Sequence, residues 1–140
     1  MTAGAKTAFI TRRMTFSAAH RLHSGGLGAE ENRRVFGKCN HPSGHGHNYV
    51  VEVTIAGPID PATGMVFNLT ELKALMTELI ENDLDHKNLN VDVPAFRDLN
   101  PTAENIAVVL WDLLSARLPP GRLHEVKLIE TENNFVSYRG

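Results

Sequence analysis

The run Cys39-Asn40-His41-Pro42-Ser43-Gly44-His45-Gly46-His47-Asn48-Tyr49 sets a lone cysteine and a His-Gly-His pair directly before a segment with strict strand alternation. In that segment Tyr49, Val51, Val53 and Ile55 fall on one face and Val50, Glu52 and Thr54 on the other. Side chains of a strand repeat every second residue, so His45 and His47 project from the same face. That spacing lets two imidazoles meet one metal ion. Gly44 and Gly46 add no side-chain bulk and leave room for a ligand sphere.

Upstream, β-favouring Phe9, Ile10, Thr11, Thr15 and Phe16 mark a first strand over residues 6–20. Met14, Phe16, Ala18 and His20 share its parity, which brings His20 towards the imidazoles of the second strand. Zinc takes neutral imidazole, and catalytic zinc keeps three protein ligands and one open position. His20, His45 and His47 are such a set. A structural site would need a fourth ligand, and Cys39 is the candidate, so the two metal readings differ in the role of that thiol. Residues 21–44, rich in glycine and charge, read as a long functional connection. Within it Lys38 favours a reactive Cys39 thiolate.

Downstream, Gly57-Pro58 and Asp60-Pro61-Ala62-Thr63-Gly64 are turn chemistry, with a short strand expected over 65–67. Asn68 caps a helix over 69–80, with Glu71 three residues later and Leu69, Leu72, Leu75, Met76 and Leu79 on its apolar stripe. A polar connection carries Asp85-His86, a plain surface pair or a carboxylate that orients a proton-shuttling imidazole. Thr102, preceded by Pro101, caps a second helix to about Leu118, and the helix dipole accounts for Glu104 in its first turn. Residues 123–139 form a hairpin turning at Asn133-Asn134. Its first strand puts Val126, Leu128 and Glu130 on one face, and a carboxylate ending an apolar row needs a partner.

The 140 residues, 42% hydrophobic and 21% charged, read as one domain (1–140) with two strands, two helices and two strands: an α+β fold with a four-stranded antiparallel sheet and both helices on one face. Two exposed sheet edges make oligomerisation the expectation. A net charge of −2 gives no electrostatic footprint for nucleic acid or an anionic membrane, so a phosphorylated substrate would need a local basic site. The start of the chain shows no signal-like apolar run and no segment is membrane-spanning in length, so the expected compartment is the cytoplasm. The single cysteine excludes an intramolecular disulfide.

Several motifs in order (FSAAHRLHS at 16–24, AEENRRVFGKCNHPSGHGHNY at 29–49, GPIDPATGMVFNLTELK at 57–73, LDHKNLN at 84–90, PTAEN at 101–105 and IETENNFVSYRG at 129–140) resemble the 6-pyruvoyltetrahydropterin synthase family. The resemblance implies the tunnelling fold, whose ββααββ subunits form trimers that stack as a homohexamer with active sites between subunits. It implies zinc on His20, His45 and His47, Cys39 as general base, and Asp85 with His86 as proton-relay partners from a neighbouring subunit. It implies Glu130 as anchor of the pterin 2-amino and N3 groups, with Thr102 and Glu104 lining the pocket.

The implied reaction is that of a carbon–oxygen lyase: 7,8-dihydroneopterin triphosphate loses triphosphate and rearranges to 6-pyruvoyltetrahydropterin, without an external redox cofactor, in tetrahydrobiopterin-type synthesis. The related 6-carboxytetrahydropterin synthase branch, which serves queuosine synthesis and releases acetaldehyde, is the alternative. The five residues between Cys39 and His45 and the Glu-Asn-Asn ending favour the pyruvoyl branch, while Asn100-Pro101-Thr102-Ala103-Glu104 is closer to the carboxy branch. Two rivals remain: a non-catalytic zinc- and pterin-binding module, and a zinc or cysteine hydrolase. A hydrolase needs an oxyanion site and a histidine-activated nucleophile, and nothing in the sequence points to them.

Overall fold

A computed structural model describes residues 5–140; Met1 to Gly4, part of the N-terminal stretch read above, lie outside it. Two long strands, β1 (Thr7–His20) and β2 (His45–Pro58), pair antiparallel over their whole length. The second strand therefore begins at His45 itself, and the His-Gly-His motif lies inside it. In this register His20 faces His45 and Ala18 faces His47. Strand β4 (Leu123–Thr131) pairs antiparallel with β2, and β5 (Asn134–Tyr138) with β4.

The sheet has five strands, not the expected four, in the order β3-β1-β2-β4-β5. The fifth, β3 (Lys87–Asn88), runs parallel to β1 beside Ala18 and Ala19. Two residues have no readable period. What places them is the preceding turn, where His86 takes φ +61° and its N–H donates to the Ser17 carbonyl at 2.6 Å. Residues 65–67, expected as a strand, form a bend instead.

The connection after β1 contains a helix, α1 (Ala29–Phe36), followed by a 3₁₀ turn over Gly37–Asn40. Glu30 and Glu31 in the first turn and Arg33 and Arg34 in the last complement the helix dipole. Gly37, at φ +57°, ends it with its N–H on the Arg33 carbonyl. The buried Asn32 ties α1 to the loop before it, accepting from Ser24 N–H and donating to the Ser24, Leu27 and Gly28 carbonyls.

Helix α2 (Leu69–Met76) is capped by Asn68, whose side chain accepts from Thr70 N–H, and a π turn over Thr77–Glu81 extends it. After β3 come α3 (Leu89–Asp92) and a short 3₁₀ turn, Pro94–Phe96, in a stretch where Pro94 argued against regular structure. Proline is at the start of that turn, where its missing N–H costs nothing. Helix α4 (Ala103–Ser115) is capped by Thr102 and stops three residues before the expected Leu118.

The apolar rows of α2 and α4 (Leu72, Met76, Ile106, Leu110 and Leu114) meet Phe16, Tyr49, Val51, Val53, Ile55, Val126 and Leu128 in a single core. His20, His45, His47 and Glu130 continue those strand rows beyond their apolar part. The sheet face that carries the core thus also carries the candidate site.

Candidate metal centre and active site

The ligand nitrogens of His20, His45 and His47 all lie within 4.8 Å of one another. His20 Nε2 and His45 Nε2 are 3.1 Å apart. Two nitrogens on one tetrahedral zinc stand roughly 3.3 Å apart, given bonds of about 2.0–2.1 Å, so the imidazoles are already close to a shared coordination geometry. His47 Nε2 is buried without a hydrogen-bond partner, as a nitrogen waiting for a cation would be.

The protonation states agree. His20 Nδ1 donates to the Pro101 carbonyl at 2.7 Å, which leaves the Nε2 lone pair for a metal. Burial lowers the His20 pKa, and the bond to Pro101 only partly offsets it. Burial likewise lowers that of His47. Both rings are therefore held neutral, the form a metal binds. The donor set suits zinc, and three ligands leave one position open.

Gly44 makes this packing possible. It adopts φ +72°, and a Cβ there would lie 2.9 Å from the His20 carbonyl oxygen.

Cys39 is in the 3₁₀ turn, and its carbonyl accepts from Leu22 N–H at 2.8 Å. Among the described residues the group able to hold a metal consists of the three histidines, without Cys39. This favours the open-site reading over the four-ligand one. Burial first, and the Glu130 charge second, push the Cys39 thiol up, against the downward pull expected from Lys38.

Glu130 faces the same centre, its carboxylate oxygens 4.0 Å from His20 Nε2 and 3.9 Å from His47 Nε2. Tyr49, fully buried, sets its hydroxyl 3.3 Å from His20 Nδ1, and burial together with the Glu130 charge pushes its phenol up. Thr102 uses its hydroxyl on Asn105 N–H in the cap of α4, one residue from the carbonyl that orients His20. Glu104 follows in the first turn of that helix.

Asp85 and His86 are elsewhere. Asp85 Oδ1 accepts from Ser17 N–H at 2.7 Å and Oδ2 pairs with His86 Nδ1 at 2.8 Å. The bond from Ser17, reinforced by His86, holds the Asp85 carboxyl below its usual range. The pair is at the outer edge of β1, with the His86 side chain 82% exposed. Of the other histidines, His23 accepts from Asn40, His41 accepts from Ser43 N–H, and His124 packs edge-on against Phe9.

Sequence reasoning missed the residues that hold this site together. Asn40 donates to the Leu22 carbonyl, Asn90 clasps both backbone groups of Arg21, and the Pro101 carbonyl orients His20. Asparagine in a loop reads as turn chemistry, and a carbonyl leaves no mark in a sequence.

Residues 9–140 match the family model described as 6-pyruvoyl tetrahydropterin synthase. The chain belongs to that family. The human 6-pyruvoyl tetrahydrobiopterin synthase is 58% identical over 131 residues, covering 94% of this chain and 90% of the relative. The Dictyostelium discoideum enzyme of the same name is 48% identical over 135 residues, 96% and 98% of the two chains. The solved structure of Caenorhabditis elegans 6-pyruvoyl tetrahydropterin synthase superposes with a TM-score of 0.94 at 41% identity, covering 97% of each chain. The Plasmodium falciparum synthase, at 16% identity and a TM-score of 0.70 over 96% of this chain and 98% of that one, shares the fold. The chain thus has the tunnelling fold, and the names of these relatives favour the pyruvoyl branch over the carboxy branch.

Proposed function

We propose that this single-domain chain is a zinc-dependent 6-pyruvoyltetrahydropterin synthase, a carbon–oxygen lyase that converts 7,8-dihydroneopterin triphosphate to 6-pyruvoyltetrahydropterin. The observation that carries the reading is the trio of converging imidazoles with an orphaned nitrogen, and a thiol standing outside the trio, in a chain 58% identical to the human 6-pyruvoyl tetrahydrobiopterin synthase. Zinc, when bound to His20, His45 and His47, supplies Lewis-acid polarisation of the substrate's side-chain hydroxyls.

The chain's own residues do the rest. Cys39, as thiolate, takes a proton from a side-chain carbon, and breaking the carbon–oxygen bond to the triphosphate releases that group. On a sheet edge that β3 covers only at Ala18 and Ala19, the half-buried Asp85 holds an exposed His86 where a neighbouring subunit would meet it, which supports a proton relay acting across an interface. Edge pairing of this kind fits a homohexamer. The reading places the protein in the cytoplasm, and no helix of the described residues is long and apolar enough to cross a membrane.

Glu130, Thr102 and Glu104 form the pterin side of the site. The pterin edge carrying the 2-amino and N3 groups lies across the ring system from the side chain. A substrate with its hydroxyls towards the histidines turns that edge away from them, whereas Glu130 is within 4.0 Å of two of their nitrogens. Glu104 is the second carboxylate able to take the edge, with Glu130 then facing the reacting end.

Mass spectrometry of the product formed from 7,8-dihydroneopterin triphosphate by zinc-loaded protein, with triphosphate and acetaldehyde assayed together, tests the proposal. A 6-pyruvoyl product without acetaldehyde is expected. A 6-carboxy product with acetaldehyde would assign the other branch, and no turnover would leave the binding-module reading.

A further inference from the structure

A groove of about 570 Å³ adjoins the metal centre, lined by Arg21, His23, Arg33, Lys38, His41 and His45 and by no carboxylate residue. Three of these carry permanent positive charge in a chain whose net charge is −2. Four arginines elsewhere are matched with acids: Arg13 with Glu52, Arg34 with Glu31, Arg117 with Glu78 and Arg139 with Glu125. Among the described residues no such ion pair involves Arg21, Arg33 or Lys38. Arg21 spends its Nε–H on the Asn40 carbonyl at 2.9 Å, which fixes the guanidinium while leaving its other N–H donors.

Clustered cations without counter-charges repel one another, an arrangement that an anion relieves. Arginine forks and a lysine point charge are the donors that recognise phosphoryl oxygens. His45 belongs both to the metal set and to the lining of this groove. Whatever occupies the groove is therefore next to the group that the metal holds.

We propose that this groove is the polyphosphate subsite, and that Arg21, Arg33 and Lys38 hold the triphosphate of the substrate before its release. The inference rests on the proposed function for the identity of the ligand. It adds where the charged tail runs: from the histidines towards α1, away from Glu104.

Arg33 and Lys38 are exposed, so alanine at either leaves the core untouched. The test measures dissociation constants of 7,8-dihydroneopterin triphosphate and of unphosphorylated 7,8-dihydroneopterin for zinc-loaded Cys39→Ala protein, with and without Arg33→Ala and Lys38→Ala. The expected result is a loss of triphosphate affinity of about fivefold or more for each variant, with the affinity for 7,8-dihydroneopterin unchanged and the difference shrinking at high salt. Equal shifts for both ligands, or none, overturn the subsite. Protein that binds 7,8-dihydroneopterin but gains nothing from the triphosphate defeats this inference alone. Protein that binds neither pterin defeats the proposed function as well.

Discussion

His20 Nδ1 donates to the Pro101 carbonyl at 2.7 Å, so the last residue of β1 is oriented by the residue before the cap of α4. One imidazole thereby joins the candidate metal centre to the helix that presents Thr102 and Glu104. With Nδ1 committed, Nε2 is the atom left free to take a metal. Sheet register aligns the three histidines, and this bond sets the tautomer of the most buried one.

That geometry separates the roles of the histidines and the thiol. His47→Ala removes one of three ligands and is expected to yield protein without bound zinc. Cys39→Ala is expected to keep full zinc while turnover falls by about 10²–10⁴-fold, the usual worth of a positioned proton acceptor. Metal content by plasma mass spectrometry, read beside single-turnover kinetics, decides. Equal zinc loss in both variants would make Cys39 a fourth ligand.

Gly44 offers a test of how tightly the two strands must close. Alanine there would have to hold φ +72° and bring its Cβ to 2.9 Å from the His20 carbonyl oxygen. The expected cost is about 1–3 kcal/mol of stability, with weakened zinc binding because His20 and His45 are displaced together. Gly64→Ala serves as the control. It too has φ +72°, but nothing lies within 4 Å of an added Cβ, so it should lose stability without losing zinc.

Burial and the Glu130 charge both raise the Cys39 pKa. The thiolate fraction, and with it the rate of alkylation by iodoacetamide, should rise with pH to a midpoint above that of an ordinary thiol. Glu130→Gln removes a negative charge that opposes the thiolate, so the midpoint should move down. The measurement belongs on metal-free protein, because bound zinc would pull the same way as the substitution. An unmoved midpoint in Glu130→Gln would mean that the carboxylate does not face the thiol.

The order of the long elements and the convergence of the three histidines were legible because both rest on periodicity. Alternation through Ile55 carries the parity of His45 and His47, and helical spacing gives α2 and α4. What escaped the sequence depends on single bonds. Strand β3 exists because His86 N–H reaches Ser17, and α1 was hidden by glycines on either side that favour a loop reading. The position of Glu130 was half legible: its place at the end of an apolar row was visible, but not that the row runs into two histidines. The thiol showed the opposite failure. Its neighbour Lys38 was visible in sequence, whereas the burial that outweighs it was not.

The two carboxylates of the pterin side can be separated by isosteric substitution. Should Glu104 hold the 2-amino and N3 edge, Glu104→Gln exchanges an acceptor for a side chain that is also a donor and weakens every pterin ligand. The expected loss is about tenfold or more in affinity, since a bond to a charged acceptor contributes about 1.5–3 kcal/mol. Glu130→Gln, beside the metal histidines, should instead lower turnover with a smaller effect on pterin affinity. Titration with 7,8-dihydroneopterin, followed by pterin fluorescence, gives the affinities, and rapid-quench kinetics gives the turnover. The reverse pattern, with Glu130→Gln abolishing binding and Glu104→Gln neutral, would return the anchoring role to Glu130 and require the substrate to lie with its ring, rather than its side chain, over His20 and His47.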